Sequence, residues 1–208
     1  MNTSHYFRST HRSGFSLLEV IVAVAIFAML SATILFNYGQ FNNRLGLEQQ
    51  AHEVAHWVRT AQAYALGVRG ESAAGTLFPS YGVHAERATP STVVFFADID
   101  GDQLYTPGGA CGGAGVECKQ VVTLRDGARI TALCGDDPAG GSPSADCGTF
   151  DTTDIVDVVF ERPNPDAVLT GTIGAATSTL VTTRIILTSP RGYSRFVEIW
   201  TTGQISVR

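Results

Sequence analysis

The chain has 208 residues, 44% of them hydrophobic and 16% charged, which suits one globular domain with one further segment. Its formal net charge of −5 excludes the global basic field expected of a general nucleic-acid binder. The same composition is too apolar for a disordered chain.

Residues 1–14 are short and polar, with His5, Arg8, His11 and Arg12 as basic groups, and they read as a leader outside the fold. From Phe15 to Phe36 the chain is almost wholly apolar and contains neither Gly nor Pro. At 1.5 Å rise per residue such a run crosses a hydrocarbon core of about 30 Å. A buried core helix would keep a polar face, and this run has none. The basic leader stays cytoplasmic by the positive-inside rule, so the remainder faces the other side. One acid, Glu19, interrupts the run. A carboxylate at the edge of a span costs about 2–3 kcal/mol or more unless it is paired, which makes Glu19 a functional candidate. A secretory signal peptide is an alternative, but Ser31-Ala32-Thr33 is a poor cleavage site and an acid in the apolar region is unusual. An ordinary anchor is another, and it leaves Glu19 unexplained.

The helix is expected to continue as a soluble segment over residues 37–70. Leu47, Ala51, Val54, Val58, Ala61, Ala65 and Val68 recur at steps near three and four and share one face. Glu48, Gln49, Glu53, Arg59 and Gln62 lie off it and can be solvated. Asn37, Gly39, Asn42, Asn43 and Gly46 make the middle the weak point, since Gly costs about 1 kcal/mol against Ala in a helix. Gly70 is a candidate C-cap.

Residues 71–208 read as a β-rich domain. Candidate strands are Phe78–His84, Thr92–Ala97, Lys119–Leu124, Arg129–Leu133, Ile155–Glu161, Arg184–Leu187, Arg195–Thr201 and Gln204–Val207. Arg125-Asp126-Gly127-Ala128 predicts a hairpin between the third and fourth. Residues 135–150 and 163–180 read as loops of small and polar residues. The fold class is α+β: a long helix on an antiparallel sheet or pair of sheets.

Cys111, Cys118, Cys134 and Cys147 allow three pairings, and their spacing does not match a zinc site. Disulfides in an oxidising compartment are the natural reading, and pairing of sequence neighbours gives Cys111–Cys118 and Cys134–Cys147. Asp98-Ile99-Asp100-Gly101-Asp102 places three carboxylates at alternate positions, a pattern that can converge on Ca²⁺. Glu117 closes the shell if the Cys111–Cys118 loop folds back. Gln103 stands where an EF-hand loop has Gly, and the alternative is an acidic β-turn. No catalytic set stands out. His52 and His56 lie four apart without an HExxH pattern, His84 is isolated, and the Gly-rich stretch 108–115 is neither a P-loop nor a nucleophile elbow.

Gly14-Phe15-Ser16-Leu17-Leu18-Glu19-Val20 resembles the prepilin peptidase site of type IV pilins and type II secretion pseudopilins. The resemblance implies cleavage after Gly14, N-methylation of Phe15 and retention of the apolar helix as a single-pass inner-membrane anchor over residues 15–36. It implies that Glu19 pairs with the N-terminal amine of a neighbouring subunit, and that other pilins, the prepilin peptidase and an inner-membrane assembly platform are partners. Ala61-Gln62-Ala63-Tyr64-Ala65, the acidic exit at Asp98 and the terminal strand–Gly–strand from Phe196 to Val207 are similar to GspH/FimT-type minor pseudopilins. Related subunits carry calcium in some cases and bare turns in others. Three functions follow: a structural or initiating filament subunit, a DNA-uptake minor pilin using Arg184, Arg191, Arg195 and Arg208, or a tethered enzyme. The last six residues carry one Arg rather than a basic cluster, which weighs against DNA.

Overall fold

The computed structural model describes residues 14–67, 78–136, 147–148 and 150–208, except the side chains at 36–38 and 40. The chain forms two compact units, residues 1–41 and 42–208. The boundary falls inside the Asn/Gly cluster marked above as the weak point of the helix. The described part of the first unit is the beginning of α1 (Leu17–Leu66), and the second holds its remainder and all strands. The leader, Val68 and Gly70 lie outside the described residues.

In the second unit, α1 buries Leu47, Gln50, Ala51, Val54, Ala55, Val58, Ala61 and Ala65. The face predicted from the periodicity is the face that packs. Four of these side chains are Ala, which lets the helix backbone approach the sheets closely. Larger groups fill the flanks: Trp57 and Tyr64 each place a ring 5.5 Å from that of Phe95.

The strands are β1 (Ser80–Glu86), β2 (Thr92–Asp98), β3 (Cys118–Thr123), β4 (Arg129–Asp136), β5 (Asp151–Thr153), β6 (Ile155–Phe160), β7 (Ala167–Ile173), β8 (Ala176–Leu180), β9 (Thr182–Thr188), β10 (Ser194–Trp200) and β11 (Ile205–Val207). They make two sheets, β3-β2-β1-β6-β7-β8 and β11-β10-β9-β4-β5. All pairings are antiparallel. Both sheets contribute to one core with the helix: Val83, Phe95, Val158 and Leu169 from the first, Ile130, Leu133, Ile185 and Val197 from the second. The α+β class is therefore present, as one helix against two antiparallel sheets.

Two expectations fail. Residues 163–180 are not a loop but carry β7 and β8. Their Thr, Ser and Gly content hides them, because the apolar alternation that marks a strand is weak. Gly171 is there for space. A Cβ at that position would lie 2.9 Å from Thr153 and 3.0 Å from Leu180, and one at Gly135 would lie 2.6 Å from Leu180. Leu180 thus sits in a socket made by one glycine from each sheet.

The second failure is the hairpin. Asp126 and Gly127 both have positive φ, 55° and 70°, and Ala128 N–H donates to Arg125 O at 3.0 Å. That is the two-residue turn expected. Yet β3 pairs with β2, and β4 pairs with β9 and β5, so the turn carries the chain from one sheet to the other. What holds it is the helix: Gln50 Oε1 accepts from Arg125 N–H at 2.9 Å. Gln62, expected in solvent, instead donates to Pro165 O at 3.0 Å.

Gly82 gives a test of this packing. A Cβ there would lie 2.7 Å from the Phe96 ring and 2.7 Å from Val158 O. We expect Gly82→Ala to lower the unfolding free energy of the detergent-solubilised protein by about 1–3 kcal/mol. Gly108→Ala, with nothing within 4 Å of the new methyl, should be near neutral. Denaturant titration compares the two, and equal stabilities would refute the packing described.

Candidate functional site

Two places carry unusual chemistry, one in each unit. In the first unit, Glu19 lies in the first turn of α1, where the helix dipole favours an anion. Val20 N–H donates to Ser16 O at 3.2 Å, so the helical bonding starts beside it. Leu17–Leu35 is long and apolar enough to cross a membrane, with mean hydropathy 2.5 and none of it buried within the chain. Gly14 is exposed, and a Cβ there would meet nothing within 4 Å. Nothing in the chain's own packing therefore demands glycine at that position.

In the second unit, the segment from Asp98 to Cys118 lies over the face of the β1–β2–β6 sheet that points away from the helix. Its ends are tied by Ala97 N–H to Glu117 O at 2.9 Å, and by the Cys111–Cys118 disulfide. Tyr105 fastens its middle, with its ring 4.8 Å from that of His84 and 5.5 Å from that of Phe96. Beneath, His84 and Asp157 face each other across β1 and β6, and His84 Nδ1 is 2.8 Å from Asp157 Oδ1 in a buried pair. The sequence shows His84 only as an isolated histidine. Its alternate position on β1 turns it away from the core, and Asp157 is its cross-strand partner.

Asp98, Asp100 and Glu117 come together, with ligand oxygens all within 4.8 Å of one another. Asp102 does not join them. It turns back to accept from Leu104 N–H at 2.8 Å. Asp98 is buried and accepts from Gly101 N–H at 2.7 Å and Gln103 N–H at 3.1 Å. The positive φ of Gly101 and Gln103, 80° and 65°, turns these amides inward. Glu117 is buried too, and accepts from Ile99 N–H at 3.1 Å and Thr106 N–H at 2.7 Å. Gln103 Nε2 donates to Glu161 Oε1 at 2.8 Å, which fixes the residue that breaks the EF-hand pattern.

Burial raises the Asp98 carboxyl above its ordinary value, its two backbone hydrogen bonds notwithstanding, and Asp102 and Asp100 add like-charge repulsion. Glu117 is raised in the same way, first by burial and then by Asp100 and Asp98. Three converging carboxylates suit a hard cation, but each buried acid already organises loop amides. The geometry thus serves an acidic turn and a divalent-cation site alike, with Asp98, Asp100 and Glu117 as the residues that could hold the ion.

The Cys134–Cys147 disulfide packs beside Ala132 on the outer side of the second sheet. Nearby, Arg184 Nε donates to the buried Glu198 Oε1 at 2.7 Å, and its guanidinium lies 3.9 Å from the Phe150 ring centroid. Arg208 approaches the same carboxylate at 3.9 Å.

Residues 9–35 match the family model of the prokaryotic N-terminal methylation motif. That motif is typical of type IV pilins and pseudopilins, and the apolar helix beginning at Leu17 fits it. No curated protein and no solved structure matches the chain.

The acid cluster has a pH signature. Between the ordinary values, 3.8 for Asp98 and 4.5 for Glu117, and their raised native values, the folded state holds more protons than the unfolded one. Stability must then fall as pH rises through that window. Acidification from neutral toward the ordinary carboxylate range should raise the melting temperature, and Asp98→Asn with Glu117→Gln should flatten that slope. An unaltered slope would refute the coupling. For a bound cation, Ca²⁺ at ten times its Kd should add about 1.4 kcal/mol, or roughly 3–5 °C, and Asp100→Ala should remove the gain. No shift at millimolar Ca²⁺ leaves the turn alone.

Proposed function

We propose that this chain is a minor pilin or pseudopilin, a structural or assembly-initiating subunit of a type II secretion pseudopilus or type IV pilus. The observation that carries this is a coincidence at one place. The methylation motif over residues 9–35 overlaps the start of α1, and the same helix carries Glu19 and a span with none of its residues buried. Such a surface requires lipid or other apolar helices around it.

The mechanism follows from charge. Removal of residues 1–14 leaves an ammonium on Phe15, four positions before Glu19. The span contains no Lys or Arg, so that ammonium is the one cation at matching depth. A lone subunit can keep Glu19 near the headgroups. Among packed helices that escape closes, and pairing with the Phe15 amine of a neighbour offsets the desolvation of both groups. The partners are then other pilins, the prepilin peptidase and an inner-membrane assembly platform. The anchor is an inner-membrane single pass. Two disulfides support an extracytoplasmic, oxidising location for the domain. The motif is of a structural kind, and we assign no catalytic residue.

The DNA-uptake alternative loses half of its arginines to other work. Arg184 is held by Glu198 and Phe150, and Arg208 approaches the same carboxylate, which leaves Arg191 and Arg195.

Co-expression with a prepilin peptidase should remove residues 1–14, and Gly14→Leu should block the cut; intact mass of the membrane fraction checks both. An unshifted mass beside active peptidase would sink the proposal. Glu19→Leu should leave membrane insertion intact and reduce crosslinking to partner pilins, with Glu19→Asp intermediate. Equal crosslinking of all three at matched amounts would remove the pairing role.

A further inference from the structure

We propose that the end of the domain nearest in sequence to the span binds the phosphate headgroup of an anionic phospholipid, in a cleft between Arg44 and Arg195. The proposal rests on the membrane-anchor reading above.

The cleft is about 230 Å³ and is lined by Arg44, Leu47, Tyr193, Ser194 and Arg195, all within the second unit. Arg44 Cζ lies over the Tyr193 ring, 4.4 Å from its centroid, which holds the guanidinium at the cleft wall. Arg195 Nη1 donates to Ser194 O at 3.3 Å, so it too is placed rather than free to sweep. Two oriented guanidiniums over a floor of Leu and Tyr suit a headgroup. The phosphate takes the charge, and the apolar floor takes the glycerol carbons.

The surroundings extend the charge. Arg129 and Ser194 both pair with Thr188, so Arg129 lies two strands across from the cleft. Arg191 is in the turn between β9 and β10, and Arg125 is in the turn whose Gly127 abuts Pro190. All five arginines are exposed, and among the described residues none forms an ion pair. Two acids adjoin this group: Asp126, whose carboxylate packs beside Gly46, and the exposed Glu48, one helical turn past Arg44. Five of the chain's 14 basic residues thus gather at one end of a chain whose net charge is −5. Such a local excess attracts anionic partners.

Chain connection selects which partner. Arg44 lies nine residues past Leu35, the end of the apolar span. Nine residues of chain reach at most about 32 Å, whatever their conformation, so the tether between span and cleft is short. The anchor therefore keeps this cleft at a standing high concentration of headgroups, which neither DNA nor a soluble acidic protein matches.

The test uses the full chain in lipid nanodiscs of phosphatidylglycerol or of phosphatidylcholine. The readout is amide hydrogen exchange across residues 188–195, whose turn is closed by Ser189 N–H to Tyr193 O at 2.9 Å and Gly192 N–H to Ser189 O at 3.0 Å. Exchange should be about fivefold or more slower in phosphatidylglycerol. In detergent, titration with phosphatidylglycerol followed by native mass spectrometry should show Arg44→Gln with Arg195→Gln binding about 25-fold more weakly, at about fivefold per arginine. Arg44→Lys with Arg195→Lys should bind with intermediate strength, since lysine keeps the charge but loses the ring contact and the forked phosphate geometry. Insertion into both discs with equal exchange overturns the proposal. Equal protection by inorganic phosphate in phosphatidylcholine discs overturns the lipid assignment in favour of a free-anion site, and protection by duplex DNA alone overturns it in favour of nucleic acid. A chain that enters neither disc overturns the anchor reading and this proposal with it.

Discussion

The face of α1 that runs from Leu47 to Ala65 is buried against both sheets at once, and the domain depends on that contact. Among the described residues, α1 is the one α-helix in the core that both sheets share, and Phe95 packs against its Trp57 and Tyr64. The Ala residues on that face set how closely helix and strands approach, while Gln50 supplies a polar tie to the turn at Arg125. A helix that both anchors the chain and forms the domain core is a strong coupling of two tasks. It explains why the sequence keeps a clean heptad-like face for so long after the membrane span ends.

The parts of this fold that are legible in sequence are those driven by strong periodicity. The helix face shows because period 3.6 sorts apolar from polar positions over six turns. β2, β6 and β10 show because Val, Ile and Phe are concentrated there. β7 and β8 stay hidden because their register depends on Gly171 and on Thr side chains, which give no apolar alternation. The turn at Asp126-Gly127 is legible as a turn, but its sequence carries no signal that the next strand joins a different sheet. The tie that the turn makes to Gln50 is likewise far away in the chain. The site is similarly divided. The carboxylates of Asp98 and Asp100 are readable as a pattern, and Glu117 as a closing group, but Asp102 points elsewhere because Leu104 N–H competes for it. The cross-strand pair of His84 and Asp157 depends on register alone and has no local signature.

The acid loop is built from two opposed demands. Burial of Asp98 and Glu117 is unfavourable for their charges. Their oxygens are nevertheless the acceptors that close the loop, through four backbone amides. The loop thus holds its shape through groups that resist being there, and anything that neutralises them tightens it. Tyr105 and the His84–Asp157 pair fix it to the sheet from the other side.

The disulfides have a topological consequence. Their sequence separations are 7 and 13, so each closes a short local ring. Neither joins the helix to a sheet, nor one sheet to the other. By loop-closure entropy each removes only about 2–3 kcal/mol of freedom from the unfolded chain. The overall winding of helix and strands therefore carries no covalent lock. The Cys111–Cys118 disulfide clasps part of the segment between β2 and β3. That clasp ends at the residue after Glu117, so it braces one wall of the acid cluster from a neighbouring position.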